Sequence, residues 1–105
     1  MSDTVDTLGF DPSSDAQVKS EYTIALPINL NAKTKELVCY FAEALAEKLR
    51  RAEEKYGYND GWRSGDWMDE CRAKLREHLE KGDPRDVAAY CAFLYYHGES
   101  TNGKA

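Results

Sequence analysis

The sequence lacks three features that would each point to a class of function: a long apolar run, an excess of basic residues and an N-terminal leader. A helix that crosses a bilayer needs about 20 consecutive apolar residues, and the longest run here, 87–96, is far shorter. The N-terminus is acidic and has no apolar core, so we expect no signal peptide. The formal net charge is −5, which leaves no basic surface for duplex nucleic acid or an anionic membrane. These absences favour a cytoplasmic protein with neither of those partners.

Residues that bind metals or form disulfides are also few. The three cysteines, Cys39, Cys71 and Cys91, are an odd number, and no C-x-x-C pair occurs. Zinc sites need closely spaced ligands, and the sequence has none at such spacing. Each cysteine lies beside apolar residues in a helical pattern, so we expect reduced and buried thiols. We identify no catalytic residue, no metal ligand and no cofactor.

What the sequence does contain is clear helix punctuation around Gly82, Asp83 and Pro84. A chain of 105 residues forms one domain. Asp83 is a good N-cap, and Pro84 at the first helical position loses nothing by lacking an N–H. Gly82 suits the left-handed position that ends the preceding helix. Two helices joined this tightly lie antiparallel and share a core, so the stretch 67–96 predicts a helical hairpin.

Apolar periodicity predicts the remaining elements. The first helix begins near Asn31 or Thr34 and ends at Tyr56, and the second runs from about Ser64 or Asp66 to Lys81. The third, 84–97, is apolar nearly all round. The predicted buried face of the first helix consists of Leu37, Phe41, Leu45, Leu49, Ala52 and Tyr56. That of the second consists of Met68, Cys71, Leu75 and Leu79. The fold class is all-α: a three-helix bundle with a C-terminal helical hairpin, preceded by an extended N-terminal arm.

The N-terminal part differs in composition from the helical domain, 32–98. Residues 1–21 hold five acidic residues and one lysine, which leaves the rest of the chain nearly neutral. We interpret 1–20 as a mobile acidic arm. Apolar residues alternate through 21–31, which predicts an extended strap or an edge strand. Such a segment packs on its own helices or pairs with a second copy, and the latter implies a homodimer. Residues 99–105 form a polar tail.

Aromatic residues cluster after the first helix and at the end of the third. In the loop they either plug the end of the bundle or stack on a planar ligand, with Lys55 or Arg63 near a phosphate. The third helix has more apolar surface than three helices cover, which indicates a partner interface or a homo-oligomer, with a dimer favoured. The candidate ligand- or partner-binding residues are Tyr56, Tyr58, Trp62, Arg63, Trp67, Tyr95, Tyr96 and His97.

Two resemblances follow from these motifs. The stretch 55–98, with KYGY-x3-W-x4-W-x2-EC-x3-L-x2-H-x2-KGDPRDVAAYCAF-x3-HG, resembles a C-terminal cassette of small accessory proteins of temperate phages and prophages of enteric bacteria. That family implies a phage origin and a dispensable role directed at the host or at DNA metabolism. It covers under half of the chain and brings no established activity.

The second resemblance, which is weaker, is to the all-α MazG-like nucleotide pyrophosphohydrolases. It is carried by a helix ending in KYG, a loop with Trp, E-x3-L, and a GD turn before another helix. That family implies Mg²⁺ held by E-x-x-E on one helix and E-x-x-D on the next. Glu70 matches the first ligand, but Ala73 stands three positions on. Asp86 matches another, but Ala89 stands three positions on, so the resemblance implies a shared fold without the complete metal site.

We therefore expect a non-enzymatic phage or prophage accessory protein that binds a host protein in the bacterial cytoplasm, to counter or modulate a host function. The alternative is a protein that binds or sequesters a nucleotide or nucleotide-like signal on a degenerate MazG-like bundle. A third hypothesis, an active magnesium-dependent hydrolase, leaves enzymatic activity open. It would use four carboxylates: Glu43, Glu47, Glu70 and Asp86.

Overall fold

The computed structural model describes residues 21–104, and the predicted acidic arm, 1–20, lies outside this range. Over the described residues the chain is all-helical, with a single 3₁₀ turn between the first two helices, and the predicted all-α fold is confirmed. No strand occurs between residues 21 and 104 of the single chain, and whether the segment 21–30 packs as a strap or pairs with a second copy stays a prediction. Tyr22, Ile24 and Ile28 of that segment are exposed, and what covers its apolar face stays a prediction. The elements are α1 (Ala32–Tyr56), the 3₁₀ turn (Gly61–Arg63), α2 (Met68–Lys81) and α3 (Pro84–Tyr96).

Short-range polar contacts set the ends of the helices where the sequence predicts them. Asn31 caps α1, because its side-chain oxygen accepts a hydrogen bond of 2.8 Å from the backbone N–H of Lys33. Gly82 ends α2 with φ of 97°, a left-handed conformation that glycine adopts without a steric penalty. Asp83 then caps α3 through a 2.9 Å bond from the N–H of Arg85. The predicted hairpin punctuation is confirmed at Gly82 and Asp83, and of the two predicted starts of α1 the structure shows Asn31.

The core lies between α2 and α3. Met68, Cys71, Leu75 and Leu94 are buried there, as the predicted face of α2 requires. Leu79 was predicted to belong to the same face, but it is 58% exposed, and that prediction is wrong. It sits in the last turn of α2, where the packed face has already ended.

Only one of the three cysteines fits the predicted burial completely. Cys71 is fully buried, Cys91 is half-buried and Cys39 is exposed on α1. Burial raises the pKa of the Cys71 thiol above its usual range, which keeps this thiol neutral. All three cysteines are free, as predicted.

Helix α1 packs on α3 through its C-terminal half alone. Lys48 of α1 reaches Asp86 near the start of α3, while Tyr56 lies close to Tyr96 near its end, so the two helices run parallel. Because α1 has 25 residues and α3 has 13, about 18 Å of α1 extends beyond α3. We call residues 32–44 the overhang.

The prediction of one continuous buried face along α1 is wrong, because α3 does not reach the overhang. Leu37 is 64% exposed in the overhang, Tyr56 at the other end of α1 is 75% exposed, and no residue of α1 is fully buried. Periodicity identifies which face of a helix is apolar. It does not say whether the neighbouring helix is long enough to cover that face.

The polar tail is held to α2 by a buried arginine. Arg72 donates a 2.8 Å hydrogen bond from Nε to the carbonyl oxygen of Ser100, and its guanidinium pairs with Glu99 and Asp69. The tail therefore covers the N-terminal part of α2, although its composition alone suggests a solvated end.

Candidate functional site

A cleft of about 500 Å³ lies where the end of α1, the following loop and the end of α3 meet. Its lining is mostly apolar and aromatic, as in many ligand and partner sites. We call it the aromatic cleft, and its principal side chains are Leu49, Tyr56, Tyr58, Trp62, Phe93 and Tyr96.

Ring contacts hold Trp62 at the centre of the cleft wall. The indole stacks on Phe93 with ring centroids 6.2 Å apart and lies nearly perpendicular to the ring of Tyr96, with centroids 5.1 Å apart. The 3₁₀ turn that presents Trp62 is closed by a 2.9 Å bond from the N–H of Gly61 to the side chain of Asn59. The cleft is therefore preorganised by packing and by local hydrogen bonds.

Two further predicted site residues contact the loop from outside the cleft lining. His97 Nε2 lies 2.7 Å from the carbonyl oxygen of Trp62, so this nitrogen carries the hydrogen and donates it. Trp67 donates from Nε1 to the same carbonyl at 3.5 Å, and its ring packs against Phe93 at 5.6 Å. His97 and Trp67 thus position Trp62 and are absent from the cleft lining.

The structure separates the eight candidate residues into three groups. Tyr56, Tyr58, Trp62 and Tyr96 line the aromatic cleft, and Trp67 and His97 support it. The remaining two are not in the cleft lining. Arg63 faces Asp60 at 3.9 Å. Tyr95 is 87% exposed.

Sequence reasoning missed two residues of the cleft wall as binding residues. Leu49 was assigned to the buried face of the first helix, and Phe93 was not singled out within the apolar third helix, because the periodic pattern does not show where the packing stops. The only signal in the sequence that could have identified them as cleft residues is their position near the ends of the two helices that pack together.

A second depression, of about 400 Å³, adjoins the cleft, because Ala52 and Tyr56 line both. Basic side chains dominate its lining. We call it the basic depression and define it by Lys48, Arg51, Lys55, His78 and Arg85.

Most of the cations in the basic depression already have carboxylate partners. Lys48 lies 3.5 Å from Asp83 and 3.4 Å from Asp86. Arg85 donates to Asp83 at 2.9 Å and, with Lys48, holds the pKa of that carboxyl well below its usual range.

The neighbouring ion pairs on α1 follow the same pattern. Hydrogen bonds from Arg50 and then Arg51 lower the pKa of Glu47 to about 2. Nε of Arg51 lies 3.1 Å from the Glu47 carboxylate.

Lys55 is the exception in this depression. Its ammonium lies 5.1 Å from the centroid of the Tyr56 ring, at the boundary between depression and cleft. Among residues 21–104 no carboxylate lies within ion-pair distance of it. A negatively charged group of a ligand or partner would find this cation available.

The carboxylates of the hydrolase hypothesis do not converge. Glu47 is bonded to two arginines, and Asp86 lies between Lys48 and His78, 3.6 Å from the latter. Within the part of the chain that the structure describes, no three histidine, cysteine or acidic side chains form a group that could hold a metal ion.

Comparison of the chain with known protein families, with curated proteins and with solved structures finds no match. None of the helices between residues 21 and 104 combines the length and apolar content that a membrane span needs.

Proposed function

We propose that this chain is a non-enzymatic phage or prophage accessory protein that binds a host protein in the cytoplasm of the bacterial host. The observation that carries the proposal is the aromatic cleft. Tyr56, Tyr58 and Tyr96 expose much of their rings around it. Tyrosine and tryptophan are enriched at protein interfaces, where they supply large contact areas at low conformational cost.

The shape of the cleft supports a partner that inserts a bulky apolar side chain. Trp62 is held from beneath by His97 and Trp67, so it does not have to be ordered on binding. Anchors of this kind carry most of the binding energy when they fill a preformed pocket.

The surroundings of the carboxylates favour a binding role over a catalytic one. A magnesium site needs carboxylates whose oxygens are available to the ion. Here Asp86 lies within ion-pair distance of Lys48 and His78, and among residues 21–104 no three acidic, histidine or cysteine side chains form a group that could hold an ion. An accessory protein that counters or modulates a host function needs no such site.

Affinity capture from host lysate, with matched variants, tests the proposal. We expect the wild-type chain to retain a specific host protein and Tyr58→Asp to lose it, because the substitution places a charge in the apolar cleft. Tyr95→Asp is the control, since Tyr95 is exposed and lies outside the cleft lining. Equal capture by all three chains, or no specific capture by the wild type, would contradict the proposal.

A second candidate is a binding or sequestering protein for a nucleotide or nucleotide-like signal. One observation favours it: Lys55 lies beside the ring of Tyr56, where the aromatic cleft meets the basic depression. A base stacked in the cleft would leave its phosphates within reach of this cation. A thermal-shift panel of nucleotides tests it, because a ligand at a hundredfold its dissociation constant adds about 2.7 kcal/mol of stability. A silent panel would remove this candidate.

Hydrolysis has its own test. Pyrophosphate release from nucleoside triphosphates with Mg²⁺, lost in Glu70→Gln, would replace both proposals by the magnesium-dependent hydrolase. Absence of release leaves the binding proposals as they stand.

A further inference from the structure

The overhang of α1 carries an apolar seam separate from the aromatic cleft. Thr34, Leu37, Phe41 and Ala44 follow one another at spacings of three, four and three residues, the pattern of a coiled-coil seam. Leu37 is 64% exposed and Phe41 is 37% exposed. Lys48 pairs with Asp83 at the start of α3, so the hairpin begins one turn beyond the seam, and Ala44 at that end of the seam is half-buried.

The side chains of the seam are complementary to themselves when two copies are antiparallel. With a two-fold axis near Tyr40 and Phe41, Leu37 of one copy lies opposite Ala44 of the other. A large residue then faces a small one, which lets the helices approach closely and interdigitate. Phe41 meets its own counterpart at the centre, and Leu45 lies opposite Val38.

The charges beside the seam select the same direction. Lys33, Tyr40 and Glu47 are seven residues apart, so they lie along one flank of the seam. An antiparallel pair places Lys33 of each copy opposite Glu47 of the other. In a parallel pair Lys33 and Glu47 would instead face Val38 and Ala52 of the other copy, so neither charge would gain a partner. Glu47 already accepts bonds from Arg50 and Arg51, but a carboxylate has about four acceptor sites.

We propose that the overhang, together with the three residues that follow it, is a homodimerisation site, at which two copies of the chain pair antiparallel through residues 33–47. The occupant of this surface is a second copy, because both its side-chain sizes and its charges match themselves under a two-fold axis. The aromatic cleft lies at the other end of α1, so each copy keeps its cleft open for the proposed partner.

Sedimentation of the full chain over a concentration series gives the first measurement. We expect a dimer of the wild type at submillimolar concentration and a monomer of Phe41→Glu, which places two carboxylates against each other at the axis. Tyr95→Glu, on α3, is the control and stays dimeric. A monomeric wild type, or a dimeric Phe41→Glu, overturns the proposal.

Cysteine cross-linking gives a second measurement that leaves the apolar seam intact. In a Cys39→Ser, Cys91→Ser background, we expect Tyr40→Cys to form a disulfide-linked dimer under mild oxidation, since position 40 faces itself across the axis. Ala46→Cys is the control on the opposite side of α1, and we expect it to stay monomeric. Absence of a link at position 40, or an equal link at position 46, overturns the proposal.

Lys33→Cys in the same background tests the direction of the helices. In the antiparallel pair the two copies of position 33 are about 20 Å apart, so no disulfide forms. A link at position 33 means a parallel pair and overturns the proposed arrangement.

Discussion

At the scale of single residues, neighbouring side chains of α3 differ sharply in burial. Leu94 is 1% exposed in the core, whereas its neighbour Tyr95 is almost fully exposed. The two residues adjoin in sequence and belong to the same apolar run. Their burial differs because adjacent residues of a helix point to different sides of it, and only the side of α3 that carries Leu94 packs on α2.

We expect Leu94→Ala to lower the free energy of unfolding by about 2–5 kcal/mol, the cost of lost burial and a residual cavity. Tyr95→Ala is the matched control and should change it by less than about 0.5 kcal/mol, because surface substitutions away from special features usually have small effects. Urea unfolding followed by circular dichroism measures both. Similar values for the two variants would contradict the assigned core.

Arg72 is the residue whose burial the sequence does not reveal. We expect a chain ending at Gly98 to lose about 1–3 kcal/mol, because the guanidinium then has neither the carbonyl oxygen of Ser100 nor the carboxylate of Glu99.

A double-mutant cycle tests this coupling. In an Arg72→Met background the same truncation should cost much less, since no buried cation is left without a partner. Equal costs in the two backgrounds would show that the tail stabilises the chain by another route.

At the scale of elements, the turn between α2 and α3 rests on a left-handed glycine and an acidic cap. Gly82→Val should lower the free energy of unfolding by about 1 kcal/mol or more, because a β-branched residue is strained at φ of 97°. No atom lies within 4 Å of a Cβ added there, so the cost is conformational and not steric crowding by neighbours. An unchanged melting temperature would contradict the turn geometry.

The acid dependence of stability tests the cap of α3. The pKa of Asp83 is lower in the folded chain than its unfolded value of about 4. The stabilisation is therefore present above about pH 4 and is lost as the pH falls through the lower folded value.

Asp83→Asn keeps the capping oxygen and removes the titration. We expect its melting temperature to fall less than that of the wild type between about pH 4 and pH 2. Solvent screening keeps the difference small, and Glu47 contributes to the same window in both proteins. Parallel acid profiles would contradict a role for Asp83.

The helix ends were predictable because their signals are local. Asn31, Gly57, Asp83 and Pro84 each act on backbone groups within a few residues. The supports of the cleft were not predictable in the same way, because His97 reaches Trp62 across 35 positions of the chain. Sequence patterns identify the aromatic residues but not which of them line a surface and which hold it in place.

At the scale of the whole molecule, the unequal lengths of the helices explain both the correctly predicted fold and its main correction. Three helices were predicted with nearly the observed ends, so the fold class followed from periodicity and punctuation. The exposed overhang could not be predicted in the same way. Which part of α1 is left uncovered depends on where α3 lies along it, and the sequence does not give that register. The two proposed binding surfaces lie at opposite ends of α1 for the same reason.

The central claim is that the aromatic cleft is the surface that binds a partner. Backbone hydrogen exchange of the chain, with and without the host protein that it captures, tests this most directly. We expect slower exchange over residues 56–62 and 93–96 in the complex, and little change over α2. Protection confined to other segments, with the cleft exchanging as in the free chain, would contradict the account.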